Sequence, residues 1–182
     1  MSTLAEVFII ESLDPDDEGN GRFEGSIISR ILRLHGKQPK YRYVRTREQF
    51  LKAVKQFGKS QYRYLHISAH ADSDGMCTTN QDEIDFDELA EILAPHLSGR
   101  RLFVSACSMM HDDLAREVIP RSGCYSVVGP TEDVFFTDAA IVWSSIYHLM
   151  FSEDSDRMTH KHLKEKLTKV CELFQVRLGY YS

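Results

Sequence analysis

Short apolar runs alternate with amphipathic stretches along the chain, and this alternation predicts most of its elements. "EVFII" around Val7 is a continuous apolar run of strand length that ends in "ESLDPDDEGNGRFEG", where Pro, Gly and acidic residues break regular structure. Asp14 to Gly25 is therefore expected to be a loop and the most mobile segment. In "SIISRILRLHG" the residues Ile27, Ile28, Ile31, Leu32 and Leu34 fall at helical spacing, with Ser26 as the cap and Gly36 as the stop. The strand "YRYV" comes next. Thr46 and Gln49 form a capping-box pattern before "EQFLKAVKQFG", whose Phe50, Val54 and Phe57 share one helical face.

The second half repeats the alternation. "YRYLHISA", "RLFVSA" and "YSVVG" read as a third, fourth and fifth strand, separated by the helices "DFDELAEILAPHL", capped by Asp85 and Glu88, and "HDDLAREVI". "TDAAIVWSSIYHLM" and "THKHLKEKLTKVCELFQ" close the chain as helices, the last with Leu163, Leu167, Val170, Cys171 and Phe174 on one side. Strands that alternate with helices of about ten residues need crossover connections. The fold class that follows is α/β, a largely parallel sheet flanked by helices on both faces. At 182 residues the whole chain, 1–182, is expected to be one domain.

Composition changes this picture little. A formal net charge of −5 with scattered basic residues leaves no electrostatic footprint for nucleic acid. No apolar run reaches membrane-spanning length and no basic leader precedes an apolar stretch, so a cytoplasmic protein is expected. Cys77, Cys107, Cys124 and Cys171 are widely spaced, without the CxxC pairs of zinc or dithiol sites. Free thiols and no cofactor are the expectation.

In open α/β sheets, reactive groups collect at the carboxyl ends of strands. The third strand delivers His70 there and the fourth delivers Cys107. Two such groups at matching ends of neighbouring strands are what thiol nucleophilic catalysis requires. Cys124, which enters a strand, and Cys171, on an apolar helix face, read as packing residues, as does Cys77.

The ordered set "HISAHADSDG", "IDFDELAEIL", "LFVSACS" and "SVVGPTEDVFFTDAAIVWSSIYHLM" resembles the caspase-like cysteine peptidases, and within them the CHAT domain group. The likeness covers Tyr64 to Met150 and implies a caspase-like three-layer sandwich. It implies a cysteine endopeptidase acting on a protein or peptide substrate, with His70 as the catalytic histidine and Cys107 as the nucleophile. The oxyanion donors it implies are the backbone amides of Ala71 and Cys107. Ala71 stands where relatives usually carry glycine, a substitution that matters if the position needs a positive φ. The resemblance also implies a regulatory protein partner, as in bacterial defence assemblies.

Several weaker candidates surround this pair. Asp72 and Asp74 follow His70, and Glu132 and Asp133 follow the fifth strand, all placed to line a substrate pocket. His66, His70 and Asp72 together resemble a zinc ligand set, but His66 reads better as a core histidine and no metal is expected. His111 follows Cys107 closely and belongs near a helix start, and "HKHLKEK" is a solvated helix face. The competing readings are a catalytically silent interaction module and a nucleotide binder, the latter without a glycine-rich phosphate motif after the first strand.

Overall fold

The computed structural model describes residues 3–71, 74–106 and 112–182, without the side chains of Asp112, Asp113 and Phe136. The chain order is β1 (Leu4–Ser12), α1 (Pro15–Gly19), α2 (Glu24–Leu34), β2 (Lys40–Tyr43), α3 (Arg47–Lys59) and β3 (Tyr62–Ala71). It continues through β4 (Gly75–Cys77), β5 (Glu83–Asp85), α4 (Phe86–Leu93), β6 (Arg101–Ser105) and α5 (Asp112–Ser122). Last come β7 (Ser126–Pro130), α6 (Phe136–Glu153), α7 (His160–Phe174) and β8 (Leu178–Tyr181).

The main sheet runs in the order β2-β1-β3-β6-β7-β8. Its first five strands are parallel and β8 closes one edge antiparallel to β7. Period-two alternation sends successive residues to opposite faces. Phe8, Ile10, Leu65, Ile67, Leu102 and Val104 pack against α3, α4 and α5. Val7, Ile9, Tyr64, Phe103 and Val128 pack against α2, α6 and α7. The result is the expected three-layer α/β sandwich. Its second layer is rich in aromatic contacts, with the Phe103 ring 5.8 Å from Trp143 and 5.6 Å from Tyr147 in edge-on arrangements. Each such pair adds about 0.5–1.5 kcal/mol beyond the area buried.

The acidic stretch expected as a loop is instead helical. The Asp14 carboxylate accepts from the N–H groups of Asp16 and Asp17 and Pro15 opens the turn, so α1 has an ordinary capped start. α2 begins at Glu24, ahead of Ser26. Its cap comes from the sheet: Gly25 N–H donates to the buried Glu11 carboxylate of β1 at 2.7 Å. A Cβ on Gly25 would stand 2.9 Å from Ile9 and 3.1 Å from Tyr41, so only glycine lets helix and strand approach this closely. The C-terminus also differs, because "LGYY" adds β8 where the chain was expected to end in helix. Among the described residues, no helix is long and apolar enough to cross a membrane.

Candidate functional site

His70 lies one residue from the carboxyl end of β3, on the same face of the strand as His66 and Ser68. Its Nε2 is 2.6 Å from Oδ2 of Asp17, a largely buried residue of α1. A carboxylate can only accept, so Nε2 carries the hydrogen, and in the ring's neutral form the basic lone pair is the one on Nδ1. Arg22 donates to the other Asp17 oxygen at 2.6 Å, which holds the carboxylate from its far side. Asp14 stands beside this group. Its carboxyl is held below the usual range by hydrogen bonds from the Asp17 and Asp16 amides, aided by His70 and Arg22. Asp17 was missed in the sequence because an acidic run reads as solvation. The pattern Asp-Pro-Asp-Asp, a capping aspartate followed by proline and acidic residues, was the available signal.

Ligand atoms of Asp14, Asp17 and His70 all lie within 4.8 Å of one another, a donor set that suits a divalent cation. Each is also engaged within the protein, Asp14 as a helix cap and Asp17 between Arg22 and His70. His66 is wholly buried, with Nδ1 3.1 Å from the Tyr147 hydroxyl and its ring edge-on to Trp143. His66 is thus a core histidine. Asp72, Cys107 and His111 lie outside the described residues.

Ala71 is the last residue of β3 and pairs with Met76 of β4. Among the described residues, only Gln81 and Gln175 have a positive φ without being glycine, so the backbone at Ala71 places no demand for glycine. The β4–β5 hairpin, absent from the sequence reading, folds back on this strand end. Its two strands approach closely at Gly75, where a Cβ would come within 2.2 Å of the Ile84 carbonyl oxygen. Cys77 of β4 pairs directly with His70 of β3 and lines the cavity beside it, so this residue belongs to the wall of the site and not to plain packing. Cys124 and Cys171 keep their packing roles. Burial pushes the Cys124 thiol up to about 11 and raises that of Cys171, leaving both poor nucleophiles.

A cavity of about 390 Å³ opens between His70 and the hairpin. Half-buried Ala71, Gly75 and Cys77 form part of its wall and exposed Asp74, Glu83 and Asp85 line it with carboxylates, while Met76 and Ile84 turn their side chains into the core behind it. A second cavity, of about 20 Å³, lies among Glu24, His70, Ser105, Ala106 and Val134. It has room for about one water. Glu132 turns towards Arg177 at 3.6 Å, and neither it nor Asp133 lines these two cavities.

No family model and no curated protein sequence matches the chain. Solved structures do. The Arg-specific cysteine proteinase gingipain R matches with a TM-score of 0.62 at 12% identity, over 94% of this chain and 43% of its own. Iotapain, a secreted C11 cysteine protease of Bacteroides thetaiotaomicron, matches with a TM-score of 0.58 at 10% identity, over 93% of this chain and 62% of its own. A Geobacter sulfurreducens protein matches at 0.52 and 11% identity over 97% and 92% of the two chains. The chain spans less than two thirds of the length of either protease. What gingipain R and iotapain share with it is a fold, the caspase-like three-layer α/β sandwich.

Proposed function

We propose that the chain is a cysteine endopeptidase in which Cys107 is the nucleophile and His70 its acid–base partner. The observation that carries this reading is the His70–Asp17 contact of 2.6 Å at the carboxyl end of β3, beside the strand that leads into Cys107. In the proposed reaction the Cys107 thiolate attacks a peptide carbonyl carbon and the amides of Cys107 and Ala71 hold the oxyanion. His70, protonated at Nδ1, gives its proton to the departing amine. Water, deprotonated by the same nitrogen, then hydrolyses the thioester and releases the acid. Asp17 fixes the ring's tautomer and direction throughout.

The cavity beside His70 suits a substrate side chain that carries a cation, since Asp74, Glu83 and Asp85 line it with exposed carboxylates. The Arg preference of gingipain R accords with this substrate class. Asp72, Glu132 and Asp133 are further substrate-binding candidates by their places in the sequence after β3 and β7. The finer likeness to CHAT domains supports an effector switched on by a protein partner.

The reading is tested by incubating the chain with an unfolded protein and with peptides containing Lys, Arg or neutral residues. Cleavage beside basic residues, lost after treatment with a thiol-alkylating reagent, is expected. Cleavage that survives alkylation overturns the assignment, and no cleavage even with partner proteins present favours a silent interaction module.

A further inference from the structure

Ser68 and Ser105 face each other in the pairing of β3 with β6, and each stands two residues before one of the proposed reacting residues. Both hydroxyls donate to the same carboxylate. Ser105 Oγ lies 2.7 and 2.9 Å from the two oxygens of Glu24, and Ser68 Oγ lies 2.9 Å from Oε2. Glu24 is only 2% exposed, so this carboxylate is buried at the junction of three elements. Burying a charge is costly unless it is hydrogen-bonded, and an apolar side chain would fill the same space more simply.

The ladder between β3 and β6 ends at the Ser68–Ser105 pair. Among the described residues the pairing of β3 with β6 goes no further, and the bonds through Glu24 cross-link the two strands at that end. The carboxylate is itself anchored. Gly25, its neighbour in the first turn of α2, is bound to Glu11 of β1 and packed against Ile9 without room for a Cβ. His66 Nε2 is 3.8 Å from Glu24 Oε1, beyond hydrogen-bond reach, so the two serines are its close partners among these groups.

We propose that Glu24 is a positioning residue: it staples the carboxyl ends of β3 and β6, and so fixes the strand end that presents His70 relative to the one from which the chain runs on to Cys107. This rests on the peptidase reading above. Glu24 also borders the small cavity beside His70, where a buried carboxylate would be able to bind a cationic substrate group. The two roles separate cleanly. A staple needs an acceptor oxygen, whereas cation binding needs the negative charge.

The experiment compares Glu24→Gln with Glu24→Leu on one basic and one neutral peptide. Glu24→Leu is expected to lower kcat about 100-fold on both peptides, with KM within about threefold of the parent value. Glu24→Gln, whose one carbonyl oxygen is able to accept from both serines, is expected to recover kcat to within about fivefold. Should Glu24→Leu fail to fold, the triple variant Glu24→Leu, Ser68→Ala, Ser105→Ala leaves no serine hydroxyl without its acceptor and should show the same loss in kcat. A rise in KM confined to the basic peptide, equal in Gln and Leu variants, overturns the staple in favour of substrate binding. Full kcat in the Leu or triple variant overturns it outright, while the parent chain's activity keeps the peptidase reading. A parent chain that cleaves neither peptide overturns both.

Discussion

Cys107→Ala is expected to lower peptide cleavage by at least about 1,000-fold, because the covalent route disappears and only binding and oxyanion stabilisation remain. His70→Ala should cost about as much, since nucleophile and base act as one unit and their losses do not add. Asp17→Asn should cost less, about 10- to 100-fold, because the ring keeps its nitrogen and loses its orientation and tautomer. The measurement is kcat/KM for each variant with circular dichroism to verify folding. Cleavage at the parent rate by a folded Cys107→Ala chain would place the chemistry elsewhere. The other cysteines offer little alternative: Cys124 and Cys171 have thiols raised by burial, and only Cys77 shares a wall with His70.

The second large effect concerns stability and belongs to Glu11. This carboxyl is wholly buried on β1, where it accepts from the Tyr41 hydroxyl at 2.5 Å and from Gly25 N–H at 2.7 Å. Burial pushes its pKa from an ordinary 4.5 to about 7, with repulsion from Glu24 adding to the rise and the two hydrogen bonds opposing it. The folded chain therefore holds a proton that the unfolded chain has released. This contribution is fully present below pH 4.5 and is lost as pH rises through about 7. The shift corresponds to about 3 kcal/mol. Glu11→Gln cannot ionise, so its stability relative to the parent should grow by that order between pH 4.5 and pH 8.5, read from urea unfolding of both chains. Contributions of other titrating groups are common to the two proteins and largely cancel. Parallel stability curves would show that Glu11 stays ionised, or stays neutral, throughout.

The layered sheet was legible because its signals are local and redundant. Apolar strand cores, the Thr46 cap of α3 and the Asp85 cap of α4 each appear as expected, with Thr46 accepting from Gln49 N–H and Asp85 from Glu88 N–H. The neighbouring relation of β3, which carries His70, and β6, which precedes Cys107 in the sequence, also follows from the order of elements. What escaped notice depends on distant partners. Ser26 looks like a cap for α2, yet the helix starts earlier because Glu11, far away in sequence, supplies the acceptor for Gly25. Strands of three residues such as β4 and β5 hold no usable alternation, and their pairing is set by a glycine that lets the two strands approach closely.

Glu24 was half legible. It falls at four-residue intervals with Ile28 and Leu32, both buried, so it shares their inward face. A charge on that stripe signals a buried partner, and the serines two positions before His70 and Cys107 supply it. Asp17 had a helix-start signature, but nothing local links it to a histidine 53 residues later.

The central claim is that Cys107 is a thiol activated by His70. Its most direct test is the reaction of the intact chain with a peptide bearing an electrophilic ketone, with the modified residue located by mass spectrometry. One adduct at Cys107 is predicted, formed at least about 100-fold more slowly in His70→Ala. Modification at Cys77 instead, or an equal rate at Cys107 without His70, would contradict the account.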